Sequence, residues 1–374
     1  MVQNSKAPLI VGAGPAGCAA AIALAREGVA AVLLDRDEQA RDQLCGGFLS
    51  WRTVAQLREL GLNPASFGAR RVDRLGLFSR HREVELSLPE PSWGLSRRVL
   101  DNELRRLAEC DGATLEVDHA RGTEGLMVIG QRRERTGNGL FLATGKHDLR
   151  GLARSRTASD PALGLRFRLP SSAEREQLIA GRIELHLFDH GYAGIVLQED
   201  GTANVCLAVR KSLLTEAGGE PAHLLAKLAD AHPAFAQRLG ADWANAPIET
   251  VGSVPYGWIA RSPAPGLFRL GDQAAVIPSL AGEGISIALA SGAAAARHWL
   301  AHGAAGAVSY QREIAARAAA PVRAAKVAWA LAERPAAVAL GIEVASRFPP
   351  VLRALMTLSR IEPEPTLAPR PTAA

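Results

Sequence analysis

Cysteine is scarce in this 374-residue sequence: Cys18, Cys45, Cys110 and Cys206 are its only four, and they lie far apart. That density excludes a disulfide-stapled scaffold, and the lack of CxxC pairs excludes the common zinc sites, so reduced thiols and no bound metal are expected. Long apolar runs are missing too. Arg or Glu interrupts every alanine-rich stretch before it reaches the roughly 18 uncharged apolar residues of a membrane-spanning helix. The opening Met1 to Pro8 lacks the basic-then-apolar layout of a secretory leader, which points to the cytoplasm. Aromatic residues make up only 5% of the chain, and its net charge of +5 comes mostly from scattered arginines. No basic run interleaved with aromatics is present to track a nucleic-acid strand, so no nucleic-acid partner is expected. No internal repeat of fixed period occurs.

What is present is ordinary globular composition, 48% hydrophobic and 22% charged, in a chain long enough for two packed subdomains that enclose a large ligand. From Pro8 the order is strand (Leu9 to Val11), glycine turn, helix (Ala16 to Arg26), closing Gly28 and strand (Ala31 to Leu34), which is one βαβ unit. In Leu95 to Cys110, Leu100, Leu104 and Leu107 share a helical face with arginines opposite, and Thr114 to Val117 starts another strand. Alternating segments such as RIELHLFD and GIVLQEDGTANVCLAVR predict antiparallel strands of a second unit. The reading is α/β: a Rossmann-type nucleotide-binding domain (residues 1–67, 94–150 and 252–305) interrupted by a β-rich substrate domain (68–93 and 151–251). C-terminal helices over 306–361 follow, punctuated by Pro321, Pro335, Pro349 and Pro350, and then a disordered proline-rich tail, 362–374.

The chemistry begins at Gly12-Ala13-Gly14-Pro15-Ala16-Gly17. Gly12 makes the tight turn, Gly14 admits a pyrophosphate close to the backbone, and Gly17 lets helix pack on strand. The helix N-terminus at Pro15 and Ala16 adds free N–H groups and partial positive charge beneath the phosphates. Asp35, at the end of the second strand and followed by Arg36, is placed to accept the ribose hydroxyls. A second feature separates FAD from NAD. A strand ending in Gly271-Asp272 directs a carboxylate at a ribityl hydroxyl, which only FAD has. The loop from Pro278 through Gly282, Glu283, Gly284 and Ile285 then opens a helix whose N–H groups would face the flavin edge that gains negative charge on reduction.

GAGPAGCAAAIALA with Asp35, CGGFLS at Cys45 to Ser50, the SRRVLDNEL helix and GDQAAVIPSLAGEGISIALASG together resemble the flavoprotein superfamily of aromatic-ring hydroxylases and geranylgeranyl reductases. More narrowly, ATGKHDLRG (Ala143 to Gly151) is similar to FAD-dependent oxidoreductases found beside bacterial polyketide pathways. The similarity spans about Leu9 to Leu300. It implies an FAD-binding domain in which Gly12, Gly14, Gly17 and Asp35 hold the ADP half and Arg97 is a further contact. It also makes Asp272 the ribityl ligand and Gly282 to Ile285 the amide donors to the isoalloxazine. Arg41 either reaches the FAD or is a solvated loop arginine.

The chain departs from the family pattern twice. Where many hydroxylases carry Asp-Gly, it reads Thr144-Gly145-Lys146-His147-Asp148, and the reductases' aromatic run survives only as Tyr192 in Gly191 to Ile195. Candidate reactive groups are therefore Cys45, as pocket wall or as thiolate, His147, as a base oriented by Asp148 or as a solvated turn residue, and Tyr192. The leading expectation is a monooxygenase: FAD reduced by NAD(P)H reacts with oxygen at C4a and hydroxylates an apolar aromatic or polyketide-like molecule. The alternatives are reduction of isoprenoid C=C bonds, for which CGG argues, and a nonenzymatic dinucleotide-binding protein. A halogenase would carry a WxWxIP motif, which is absent. With only one GxGxxG, NAD(P)H must dock transiently or a partner reductase supplies electrons. The apolar, arginine-dotted stretch Ala336 to Ile361 reads as a cap over the substrate entrance or as a peripheral contact with the inner face of a membrane.

Overall fold

The computed structural model describes residues 3–4 and 6–362; the tail expected to be disordered, apart from Glu362, lies outside the described residues. The apolar run Leu9–Val11 is the central strand of a five-stranded parallel sheet. Its order is Leu267–Arg269, Leu140–Leu142, Leu9–Val11, Val32–Asp35 and Thr114–Val117. Period-two alternation divides these short strands between two cores. Ile10, Leu33, Phe141 and Phe268 face a helical layer, whereas Leu9, Val11, Leu140 and Leu142 face Val128 and Leu149. The second layer is a small sheet ordered Gln3–Asn4, Glu134–Thr136, Met127–Gly130 and Ala120–Glu124.

The helical layer contains α1 (Pro15–Arg26), α2 (Trp51–Glu59), α3 (Arg97–Cys110) and α4 (Gly284–His302). Their small residues set how closely they approach. A β-carbon on Gly17 would lie 1.9 Å from the Gly12 carbonyl oxygen, and one on Gly292 of α4 would lie 2.3 Å from the Ala16 oxygen of α1. Helix α3 differs from expectation on one point. Arg105 is buried with Leu100, Leu104 and Ala108 instead of facing solvent. It can be, because its guanidinium donates to the backbone oxygens of Ala13 (2.9 Å), Asp37 (2.7 Å) and Glu38 (3.1 Å) and so carries its own solvation inward.

The second domain is built on an eight-stranded sheet. Its order is Glu249–Val254, Ala162–Leu169, Ala203–Arg210, Gly191–Leu197, Gly181–Phe188, Arg70–Phe78, Glu83–Gly94 and Phe48–Leu49. The sheet is mixed and not wholly antiparallel as the alternating segments suggested: Gly181–Phe188 runs parallel to Arg70–Phe78. These strands belong to separate passes of the chain, and no tight turn joins them to impose antiparallel order. Phe48–Leu49, in the segment 1–67 assigned to the nucleotide domain, pairs at the edge of this sheet and ties the two domains together.

The C-terminal helices are α5 (Ala307–Ala332), α6 (Pro335–Arg347) and α7 (Pro349–Leu358). Pro335 and Pro349 start helices, where a missing N–H costs nothing. Pro321 was expected to end a segment but is buried inside α5. Tyr310, Ile314, Ala318 and Val322 anchor α5 in the nucleotide-domain core on both sides of it, and such tertiary packing overrides the local preference.

On the large sheet, Glu184 is fully buried yet ionised, accepting from Arg238 Nε (2.9 Å) and Nη2 (3.1 Å) and paired with His186 Nε2 (3.0 Å). Burial alone would raise its pKa, but the hydrogen bonds from His186 and Arg238 outweigh it and hold the carboxyl below its usual range. Arg238→Met should therefore cost about 3–5 kcal/mol by leaving a buried charge uncompensated. The Glu184 contribution is present above the ordinary value of 4.5 and lost as pH falls through the lowered folded value. In urea unfolding of both proteins, the margin of wild type over variant should be widest near neutrality and shrink in acid. A margin independent of pH would contradict the assignment.

Candidate active site

One cavity of about 1210 Å³ runs between the two domains and the C-terminal helices. Its first end is the turn after Leu9–Val11. Gly12, Gly14, Pro15, Ala16, Asp35, Arg36 and Arg41 line it, while Gly17 is buried behind the wall as a packing residue. A β-carbon on Gly14 would project into this space, with Arg97 Nη2 at 3.4 Å its nearest neighbour, so the backbone is bare where a pyrophosphate would lie. Arg97 is held there by two hydrogen bonds to Asp101, at 2.7 and 2.6 Å. Burial opposes its charge, but the Asp101 carboxylate outweighs that and keeps Arg97 cationic above its ordinary range. Asp35 accepts the Ala13 N–H (2.8 Å) and the Asp37 N–H (3.1 Å), and Arg105 Nη2 approaches it at 3.2 Å. A carboxylate has about four acceptor positions, so Asp35 retains capacity toward the cavity for a ribose. Arg36 and Arg41 both pair with Asp37, and Arg41 is largely exposed.

The middle of the cavity carries Gly271, Asp272 and the loop Gly282 to Ile285 at the N-terminus of α4, with Pro278 buried outside the wall. The Gly271 N–H is pinned by Ser291 Oγ at 2.8 Å. The side chain of Glu283 is fully buried and pairs with Arg360 beyond α7, and both residues belong to the cavity lining. Burial raises its pKa against the opposing pull of Arg360. Arg360 also donates to the Ala281 oxygen and lies 4.3 Å over the Trp51 ring. A carboxylate at the end of a strand, a bare glycine over a helix N-terminus and a second helix N-terminus share one elongated cavity. These residues fit FAD: Gly14, Arg97 and Asp35 at its ADP half, Asp272 at the ribityl chain, and the N–H groups of Glu283, Gly284 and Ile285 at the flavin ring; the Gly282 N–H, expected among these donors, is instead spent on the Ser279 oxygen at 3.0 Å, closing the turn before α4.

Cys45 lies on the cavity wall, half-buried beside the Arg97 guanidinium. Its loop is clipped to the large sheet by Asn204 Nδ2, which donates to the oxygens of Cys45 (3.0 Å) and Gly46 (2.9 Å). His147 lines the ADP end, where burial and the charges of Arg36, Lys146 and Arg154 lower its pKa. The expected His147–Asp148 pair is not formed: Arg154 Nε and Arg156 Nη2 each hold the Asp148 carboxylate at 2.6 Å. Arg154 also donates to the Asp272 backbone oxygen at 2.9 Å, so the loop that departs from the family pattern is tied to the Gly271-Asp272 turn.

At the far end, Tyr192 is buried with its hydroxyl 2.6 Å from Ser279 Oγ, and Tyr256 approaches the same oxygen at 2.6 Å. Burial raises the pKa of both tyrosines, and that of Cys206 nearby is pushed up to about 12 by the same cause. Leu75, Leu77, Ile183, Leu185 and Leu187 form the surrounding wall. Sequence reasoning found Tyr192 but missed Tyr256, Ser279, Arg105, Arg154 and Arg360. Ser279 stands inside the loop already singled out; the others join segments far apart in the chain, and no local pattern marks them.

The cofactor assignment makes a direct prediction. Gly14→Val should fold but abolish flavin retention by filling the pyrophosphate space, and Asp272→Ala should weaken FAD binding by about ten- to a hundredfold, the worth of a charged hydrogen bond. Flavin absorbance after gel filtration and fluorescence titration of the apoprotein measure both. Normal retention in the two variants would refute the site.

Residues 6–124 match the FAD binding domain family. A menaquinone reductase of Mycobacterium tuberculosis is 37% identical over 119 residues, a match that covers 29% of that protein's length. The menaquinone reductase of Mycolicibacterium smegmatis is 28% identical across 79% of this chain and 76% of its own. Digeranylgeranylglycerophospholipid reductase 2 of Methanopyrus kandleri is 26% identical across 76% of this chain and 74% of its own. Among solved structures, the flavin-dependent brominase Bmp2 superposes with a TM-score of 0.77 at 15% identity, covering 96% of this chain and 93% of that one, which shows a common fold. With the glycine-rich turn, the Gly271-Asp272 turn and the loop at α4 on one cavity, the chain carries an FAD binding domain over residues 6–124 and is similar across most of its length to FAD-dependent oxidoreductases of the flavoprotein monooxygenase and reductase superfamily.

Proposed function

We propose that the chain is a flavin-dependent monooxygenase that hydroxylates a lipophilic molecule with an aromatic, polyketide-like head. The observation that carries this reading is the composition of the far end of the cavity, an aliphatic wall interrupted by the hydroxyl group of Tyr192, Ser279 and Tyr256. FAD supplies the electrons, which pass to oxygen or to a polarised double bond. The residues of the chain decide the rest. Leu75, Leu77, Ile183, Leu185 and Leu187 exclude water and favour an apolar guest. Three hydroxyls joined by two hydrogen bonds own three protons and use two, so one O–H remains to donate outside the group. Because burial raises both tyrosine pKa values, the group stays a donor through neutral pH and can orient a phenolic oxygen. NAD(P)H docking transiently, or a partner reductase, serves as electron source.

Reduction of isoprenoid C=C bonds is the second reading, favoured by the Methanopyrus kandleri relative, which matches across 76% of this chain. The same spare O–H would then deliver its proton to carbon.

The flavoprotein reduced without oxygen should be mixed rapidly with oxygenated buffer, with and without a phenolic polyketide. A transient absorbance that decays with formation of hydroxylated product is expected. Direct return to oxidised flavin with peroxide and no product would overturn oxygenation, and loss of a double bond from an isoprenoid chain under anaerobic single turnover would establish the second reading. Tyr256→Phe should lower turnover by about a hundredfold, the usual worth of a positioned proton donor, with flavin content unchanged. The wild-type pH profile should show no alkaline limb from these hydroxyls below their ordinary value of 10.0.

A further inference from the structure

Among the described residues, the large apolar side chains that stand exposed are confined to one stretch, from Val327 to Leu358. On α6, Leu340 and Val344 continue to Phe348 in steps of four, and on α7, Val351, Leu355 and Leu358 follow at helical spacing. Helix α6 already spends another face on the protein interior, where Val338 and Ile342 pack with Trp329 and Tyr192. It therefore has two apolar faces, and only one is covered. A contiguous apolar surface left open on a folded protein marks a contact site.

The open face is continuous with the cavity. Leu331 and Leu355 are exposed and also line the cavity wall, and Val338, Ile342, Leu352 and Met356 line it from within. Around the patch, Arg323, Lys326, Arg334, Arg347 and Arg353 are exposed. The acids of the stretch are engaged, Glu333 by Arg210 at 2.7 Å and Glu343 by Arg347 at 2.9 Å. The helix pair is also held on the cavity mouth: Arg360, immediately beyond α7, is locked to Glu283 beneath the flavin loop.

We propose that the outer face of α6 and α7 docks on an anionic phospholipid surface, its apolar stripe entering the acyl boundary and its arginines meeting the headgroups, so that a lipophilic substrate passes from bilayer to cavity without crossing water. The charge decides the occupant. A second copy meeting this face about a two-fold axis would set the cationic rim against itself. Residues 363–374 carry one large aliphatic side chain, Leu367, too little to cover the stripe. No helix among the described residues is long and apolar enough to cross a membrane, so the contact is peripheral. The purpose of docking rests on the lipophilic substrate proposed above, but lipid binding is scored without turnover, so either idea can fail alone.

The test is co-sedimentation of the full FAD-loaded protein with phosphatidylcholine vesicles, with and without phosphatidylglycerol. Binding is expected to the anionic vesicles and to weaken with salt. Arg347→Gln with Arg353→Gln should weaken it by about tenfold or more. Leu340→Asp with Phe348→Asp should abolish it while flavin absorbance and circular dichroism stay unchanged. If that variant fails to fold, an environment-sensitive dye on Phe348→Cys, in a Cys110→Ala background, gives a second readout and should shift to the blue on anionic vesicles. Absence of vesicle binding, binding undiminished in the folded double variant, or a dimer that the same substitutions dissociate would each overturn the proposal, the last by naming a second copy as the occupant.

Discussion

The structure depends on how closely α1 and α4 approach each other. Gly292 faces the Ala16 carbonyl at a distance no side chain would tolerate, and Gly17 lies as tightly on the first turn. Side by side, the two helices bring both of their N-termini to one cavity, one at Gly14 and the other at Gly284. Each end carries unsatisfied N–H groups and a partial positive charge. One is set for a phosphate and the other for an electron-rich ring edge. A larger residue at either contact would separate two ends that must serve a single ligand.

Around this helix pair the fold divides its labour. The parallel sheet supplies short strands that stop at Asp35 and at the Gly271-Asp272 turn, so both carboxylates stand at strand ends facing the cavity. The large mixed sheet supplies an aliphatic wall. Between them the Cys45-Gly46-Gly47 loop is fixed by the Asn204 side-chain amide, and Phe48–Leu49 runs on into the large sheet, so the seam between the domains is stitched by directed hydrogen bonds as well as by packing.

Much of this was legible in the sequence because it is local. The glycine turn, the strand ending at Asp35 and the loop before α4 each lie within a few residues, and period and turn chemistry read them directly. The parallel pairing of Gly181–Phe188 with Arg70–Phe78 was not legible, since alternation gives a strand's faces but not its neighbour's direction. Arg105 was misread, and Arg154 missed, for a related reason. Arg105 and Arg154 look like surface residues until the carbonyls and carboxylates they serve, contributed by distant segments, fold around them. Tyr256 likewise becomes part of a site only when Ser279 stands 2.6 Å from its hydroxyl.

The ion pair of Glu283 with Arg360 joins the loop before α4 to the C-terminal helices. Glu283 caps the helix that faces the flavin ring, and it is sealed from water together with an arginine from the far side of the C-terminal helices. Without Arg360 that carboxylate would keep only the hydroxyls of Ser50 and Ser286 and would lack a cationic partner. The loop before α4 is in this way coupled to the C-terminal helices through one buried guanidinium, so a disturbance at the outer face of α7 has a direct route to the middle of the cavity.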